Sequence, residues 1–226
     1  MVRITGIRQL KGRSGRCEVE LDSGDSLKLL AEVVLRLGLK PGQEIDEQAL
    51  LDAARLQETV RAREYALDLL SRAARSERQM VDRLERKGFA PDVIEKTLAG
   101  LGRAGLLNDA SYSESYVSAR LSERPMGRRA LLQELAVKGV NRETAQEAVQ
   151  SALAGKSEEE LALQAARAHW PRLAKLAPEE GRRKLLGYLA RRGFAAGVCW
   201  AAVRRVAAEM GADAPEPAWL GDEPVE

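Results

Sequence analysis

The residues of this chain best suited to chemistry are cations, and they recur in register. Lys87, Lys138 and Arg192 each stand one residue before a glycine, at Gly88, Gly139 and Gly193. A second column stands upstream: Arg78 in the first copy, Arg128 and Arg129 in the second, and Arg182, Arg183 and Lys184 in the third. Arg86 and Arg191 flank the first column, and Arg204 and Arg205 follow the last copy. Forked guanidinium donors and compact ammonium groups bind oxyanions, whether phosphates or carboxylates. The two columns differ in what they imply. A cation in the last turn of a helix complements the helix dipole by about 0.3–1 kcal/mol, which gives the column before the glycines a structural reason to exist. The upstream column reads as opening helices, where cations oppose the dipole. Free backbone N–H groups at such an end favour anions, so cation and N–H together make a pocket for phosphate or for carboxylates on a protein.

Other chemistries are poorly provided for. The one histidine, His169, has no nucleophile in a strained turn nearby and no evident orienting partner, so no catalytic residue is assigned. Cys17 and Cys199 form no CxxC pair and, with His169, cannot supply a soft-ligand metal site, so neither metal nor cofactor is expected. Gly100-Leu-Gly-Arg-Ala-Gly105 spells GxGxxG, but it ends a helix instead of following a strand. Its expected role is a helix cap and close packing. No Walker-type loop is present.

The elements that carry the cations repeat. In Ser76–Leu98, Ser76 and Gln79 have capping-box spacing, Met80, Val81 and Leu84 form an apolar face, Gly88 is a left-handed cap, and Pro91 starts a second helix. The same frame fits Gly127–Val149 and Gly181–Val203, with Leu84, Leu135 and Leu189 in register at steps of 51 and 54 residues. Such periodicity marks an array of supersecondary units. The first helix of repeat one is expected upstream, with Leu56, Val60, Ala66, Leu67 and Leu70 buried and Asp46 as the cap that precedes it. Asn108-Asp109 opens repeat two, and Tyr112, Tyr116, Val117 and Leu121 face inward. Ser157 and Glu160 open repeat three, whose first helix should end near Trp170 at Pro171. Before the array, Val2–Leu10, Arg16–Leu21 and Ser26–Leu30 read as strands broken at Gly12, Gly15 and Gly24, and Ala31–Leu37 as a short helix.

The expected fold is mostly α: an elongated, curved tandem array of three three-helix repeats behind a small N-terminal β-rich cap. The expected limits are 1–45 for the cap, 46–107, 108–155 and 156–211 for the repeats, and 212–226 for an acidic tail expected to be disordered. Charge is unevenly spread. Arg182–Arg205 holds seven Lys or Arg and no acid, whereas Asp213–Glu226 holds five acids and no base, at a formal net charge of only +2. A polyanionic partner fits the first stretch. No apolar leader and no membrane-length run is present, and the cysteine usage fits a reducing compartment, so a cytoplasmic, monomeric protein is expected.

The runs LDLLSRAARSERQMVDRLERKGF, LAGLGRAGLLNDASYSESYVSARL and GRRALLQELAVKGV, in this order and spacing, resemble the RecX family of bacterial recombinase regulators. The resemblance covers roughly Leu56–Met210; the third copy departs most, with Gly197 inside its last helix and Pro171 inside its first. It implies a non-enzymatic partner of the RecA filament on single-stranded DNA, modulating and mainly inhibiting recombination, ATPase and coprotease activity in DNA repair and the SOS response. The competing reading from the residues is a helical module that contacts single- or double-stranded DNA directly. A dedicated single-strand binder would carry an aromatic-rich basic platform, which this chain lacks.

Overall fold

The computed structural model describes residues 1–10 and 15–209. The acidic tail and the strand break at Gly12 lie outside these described residues. The chain divides into two units, Met1–Asn108 and Asp109–Glu226.

The first unit opens with β1 (Val2–Gln9), β2 (Arg16–Leu21) and β3 (Ser26–Leu30), followed by α1 (Ala31–Arg36) and β4 (Glu44–Ile45), in an antiparallel sheet of order β3-β2-β1-β4. The strand β4 was hidden in an acidic stretch. It forms because the Pro41-Gly42 turn returns the chain to β1: Gly42 N–H donates to Ile4 O at 2.7 Å, Ile4 N–H donates to Gln43 O at 2.9 Å, and Val2 then pairs with Ile45. Ile4, Val19, Leu21, Leu29, Val33 and Leu50 form the core of this cap.

Leu50 belongs to α2 (Glu47–Arg72), whose first turn is capped by the Asp46 carboxylate accepting from Gln48 N–H. This helix serves two cores. Beyond Leu50, its residues Ala62, Ala66 and Leu69 pack with Met80 and Leu84 of α3 (Glu77–Lys87) and with Val93, Ile94 and Leu101 of α4 (Pro91–Arg103). The expected inner face of α2 is therefore corrected. Ala66 is buried and Leu70 packs on the cluster, but Leu56, Val60 and Leu67 are 59%, 43% and 38% exposed. The small side chains of Ala62 and Ala66 form the stripe that meets α4, which turns the stripe carrying those larger residues outward.

The capping box of α3 is complete: Gln79 N–H donates to Ser76 Oγ at 3.3 Å and the Gln79 amide oxygen accepts from Ser76 N–H at 3.2 Å. Gly88 takes φ 90° and closes the helix. At the end of α4, Gly105 adopts φ 68° and its N–H donates to Gly102 O at 2.9 Å. Close packing at this GxGxxG run is not found, since a Cβ added at Gly100 or Gly102 would meet nothing within 4 Å.

The second unit holds two three-helix groups. In the first, α5 (Asp109–Glu123), α6 (Arg128–Val137) and α7 (Arg142–Leu153) enclose Val117, Met126, Leu131, Leu135, Val140 and Val149. In the second, α8 (Glu158–His169) passes at Pro171 into a 3-10 turn, Trp170–Arg172, and packs with α9 (Pro178–Arg191) and α10 (Ala196–Glu209). Leu84, Leu135 and Leu189 are each fully buried, in three separate clusters. Burying a leucine stabilises by about 1.5–3 kcal/mol, so the repeated frame places its strongest apolar anchor at one position per unit.

Candidate partner-binding site

The column of cations before the turn glycines lies at helix ends: Lys87 is the last residue of α3, and Lys138 and Arg192 cap α6 and α9. Each side chain covers an aromatic ring. Lys87 Nζ stands 5.2 Å from the centre of Tyr65, Lys138 Nζ 5.9 Å from Tyr116, and Arg192 Cζ 5.0 Å from Tyr188. These distances suit cation–π attraction, worth about 0.5–1 kcal/mol at exposed sites. Sequence reasoning missed the aromatic partners, although spacing could have found them: 87 minus 65 and 138 minus 116 both give 22. In the third copy, 192 minus 22 is 170, and Trp170 is there but buried in its core. Arg192 turns instead to Tyr188, whose ring also stacks on His169 at 3.8 Å and 2°. Partial burial, with Arg172, Arg192 and Arg191 nearby, pushes the His169 imidazole below its ordinary pKa.

The upstream column needs two corrections. Gly127 is the N-cap of α6, so Arg128 and Arg129 do open that helix. Two of the N–H groups at that end are engaged, however, because Gly127 N–H donates to Arg192 O at 2.9 Å and Arg129 N–H donates to Gly193 O at 3.2 Å. The start of α6 thus sits against the carbonyl end of α9. Those carbonyls carry the negative end of a helix dipole, which offsets the repulsion expected for cations at the start of α6. The approach is so close that a Cβ on Gly127 would lie 2.3 Å from Gly193 O, and one on Gly193 would lie 2.1 Å from Ala130 N.

Arg182, Arg183 and Lys184 do not open α9. Pro178, with φ preset, and the acids Glu179 and Glu180 start that helix earlier, so the basic run falls in its second turn. Lys184 Nζ pairs with Glu180 there at 2.9 Å, and Arg182 is partly buried while Arg183 is exposed. The remaining cations are spread over α3 and α10: Arg78 pairs with Asp82 at 3.1 Å, Arg86 Nε donates to Asp82 O at 3.0 Å, Arg205 lies 3.6 Å from Glu209, and Arg204 is exposed.

What the fold does gather is a cleft of about 560 Å³ between the two three-helix groups of the second unit. Tyr116, Arg124, Met126, Glu134, Val137 and Lys138 line one side, and Tyr188, Arg191 and Arg192 the other. Glu134 is committed elsewhere, since its carboxylate accepts from Tyr116 Oη at 2.8 Å and from Arg120 Nε at 2.7 Å. The Arg120 guanidinium, aided by Tyr116 and opposed by burial, holds the Glu134 carboxyl below the usual carboxylate range. Arg192 Nη1 is buried with no hydrogen-bond acceptor among the described residues. Chemically, the cleft presents Arg124, Lys138, Arg191 and Arg192 around an apolar wall and can hold an oxyanion. Arg124 was missed in the sequence because it falls in neither column.

The comparisons with known proteins decide the family. Models of the first, second and third RecX three-helix domains match residues 62–101, 108–149 and 157–203. The chain belongs to the RecX family. Relatives named "Regulatory protein RecX" include that of Amycolatopsis mediterranei, 35% identical over 68% of this chain and 87% of its own length. That of Thermobifida fusca is 38% identical over 64% of this chain and 77% of its own. A crystal structure of a regulatory protein RecX superposes with a TM-score of 0.60 at 24% identity, covering 88% of this chain and 97% of the other. A second, of RecX from Lactobacillus salivarius, gives 0.57 at 21% identity over 67% and 97%, and both likenesses concern the fold. The RecX domains coincide with the three helical groups, and the cleft lies between the second and third. Among the described residues no helix is long and apolar enough to cross a membrane, and no group of three His, Cys, Asp or Glu could hold a metal.

Proposed function

We propose that this RecX family member is a non-enzymatic regulator that binds the RecA filament on single-stranded DNA and restrains its recombination, ATPase and coprotease activities in DNA repair and the SOS response. The observation that carries this reading is the match of all three RecX domains, joined to the acid-free basic run Arg182–Arg205 in and just beyond the third of them. Arg128, Arg129 and Arg191 are exposed around the backbone junction of these two domains, and Arg182, Arg183 and Lys184 extend the basic surface along α9. Arg78, Arg86, Lys87, Lys138, Arg192, Arg204 and Arg205 complete the proposed partner-binding set. The protein acts from the cytoplasm and brings no catalytic group of its own.

The test is RecA-catalysed strand exchange and ATP hydrolysis on single-stranded DNA, with the wild-type chain, with R128Q/R129Q and with R182Q/R183Q/K184Q. The wild type should slow both reactions, and each variant should need a higher concentration for the same effect. A wild-type chain without effect on either reaction overturns the proposal. Direct DNA binding is the second reading, supported by the same exposed arginines. If it holds, the variants lose affinity equally for filaments and bare DNA, and the salt slope becomes shallower by about 0.7 per lost phosphate contact on single strands.

A further inference from the structure

We propose that the cleft between the second and third helical groups is a binding site for an acidic peptide, and that its occupant is the chain's own segment Asp213–Glu226. Three observations lead there. First, the cleft is prepared before any ligand arrives, because the backbone bonds Gly127 N–H to Arg192 O and Arg129 N–H to Gly193 O fix its two sides. Second, its polar lining is one-sided. Glu134 is taken by Arg120 and Tyr116, whereas the buried Arg192 Nη1 has no acceptor among the described residues. Third, the aromatic rings that line it are already covered. Tyr188 is stacked with His169 and carries Arg192, and Tyr116 is stacked with Tyr112 and carries Lys138. Nucleobases bind single-strand platforms by stacking on open rings, so a cleft whose rings are engaged favours carboxylates over nucleotides. Met126, Ala130 and Val137, the last 80% exposed, add an apolar wall.

The sequence of the segment complements that wall and those charges. Asp213, Glu216, Asp222, Glu223 and Glu226 are its acids, it has no base, and Trp219-Leu220 lies in its middle. An apolar pair flanked by carboxylates matches an apolar wall flanked by Arg124, Lys138, Arg191 and Arg192. Carboxylates pair with guanidinium forks in charge-assisted bonds. Length permits the return: α10 starts at Ala196, close in sequence to Arg192, and rises about 21 Å to Glu209. The ten residues from Glu209 to Trp219 span up to about 33 Å when extended. A tether of that length keeps the local concentration of the segment high, so modest contacts suffice. The segment then competes with any external anion for the cleft, which makes it an inhibitor of the chain's own basic surface.

Zero-length carbodiimide coupling on the full chain at low concentration tests this, because Lys138 is the lysine that lines the cleft. Mass spectrometry of the monomer band should find Lys138 joined to Glu216, Asp222 or Glu223 in preference to Lys156, Lys175 or Lys184. The coupled fraction should drop by about three- to fivefold in R124Q/R191Q, where two ion pairs are lost. A thermal melt shows that this variant remains folded, and both side chains are exposed. Coupling spread evenly over the other lysines, coupling found only in a dimer band, or a fraction unchanged in R124Q/R191Q each overturns the proposal. Shielding of Lys138 from acetylation by oligo(dT), with no coupling to the segment, would show a phosphate site instead and would overturn it too.

Discussion

The turns at Gly88 and Gly193 occupy the same place in the repeated frame and adopt nearly the same backbone, φ 90° and 81°. Their surroundings are opposite. A Cβ on Gly88 would meet nothing within 4 Å, whereas one on Gly193 would collide with the Ala130 backbone and side chain at 2.1 and 2.5 Å. The first glycine is needed only to let its helix end in a left-handed residue. The second is also needed so that the preceding helix group can dock on it, carbonyl to N–H. A motif repeated in sequence therefore does local work in the first copy and both local and intergroup work in the third.

The comparison breaks or holds on one pair of variants. Gly193→Ala should lose about 1–2 kcal/mol from the left-handed conformation and about 1–3 kcal/mol more from overpacking. Gly88→Ala should lose only the first of these. Urea unfolding of both measures the gap, and equal losses would mean that the junction at Gly193 relaxes freely.

Repeat two differs from repeat one in a polar lock as well. Arg120 and Glu134 join α5 to α6, and their counterparts one period earlier are Leu69 and Arg83. Glu134→Gln should cost about 1.5–3 kcal/mol, the loss expected for hydrogen bonds to a charged group. It should also change the acid limb of stability. The folded carboxyl is held below the ordinary value of 4.5, so its contribution is complete above that pH and is lost as pH falls through the lower folded value. The wild type should lose stability faster than the variant below about pH 4.5. Parallel acid limbs in urea titrations would show that the lock does not report on folding.

Gly127 isolates the steric component of the same junction, since its φ of −83° suits any residue. Gly127→Ala should cost about 1–3 kcal/mol through the 2.3 Å approach to Gly193 O. The aligned residue of repeat one is Ser76, whose side chain caps α3, and Ser76→Gly should cost only about a few tenths of a kcal/mol. Opposite ranking in thermal melts would reverse the assignment of these two N-caps.

Much of the fold was legible because its signals are local. Ser76 with Gln79, Pro91, the turn glycines and the leucine register each state a cap, a start, a stop or a core position without reference to distant chain. The outward turn of Leu56, Val60 and Leu67 was not legible, because Ala62 and Ala66 win the inner face only through the approach of α4. Likewise, β4 is two residues long and exists only where β1 receives it. The cations could be found as a set from their columns. Their roles could not, since Arg128 and Arg129 owe their setting to carbonyls of Arg192 and Gly193, more than sixty residues away in sequence.

The smallest effect separates the two lysines of the first column. Lys87 is exposed at 5.2 Å from the centre of Tyr65, whereas Lys138 is half-buried at 5.9 Å from that of Tyr116, on the wall of the cleft. Methionine keeps the length of the side chain and removes its charge. Lys87→Met should then cost about 0.8–2 kcal/mol, the worth of an exposed cation–π pair together with the dipole at the end of α3. Lys138→Met should cost no more than this in stability, but it removes a charge from the cleft, which Lys87 does not line, and should weaken the action on RecA filaments more than Lys87→Met does. Thermal melts and strand-exchange inhibition on both variants give the two readouts. Equal inhibition by both would give Lys138 no larger part than Lys87 and would detach the cleft from partner binding.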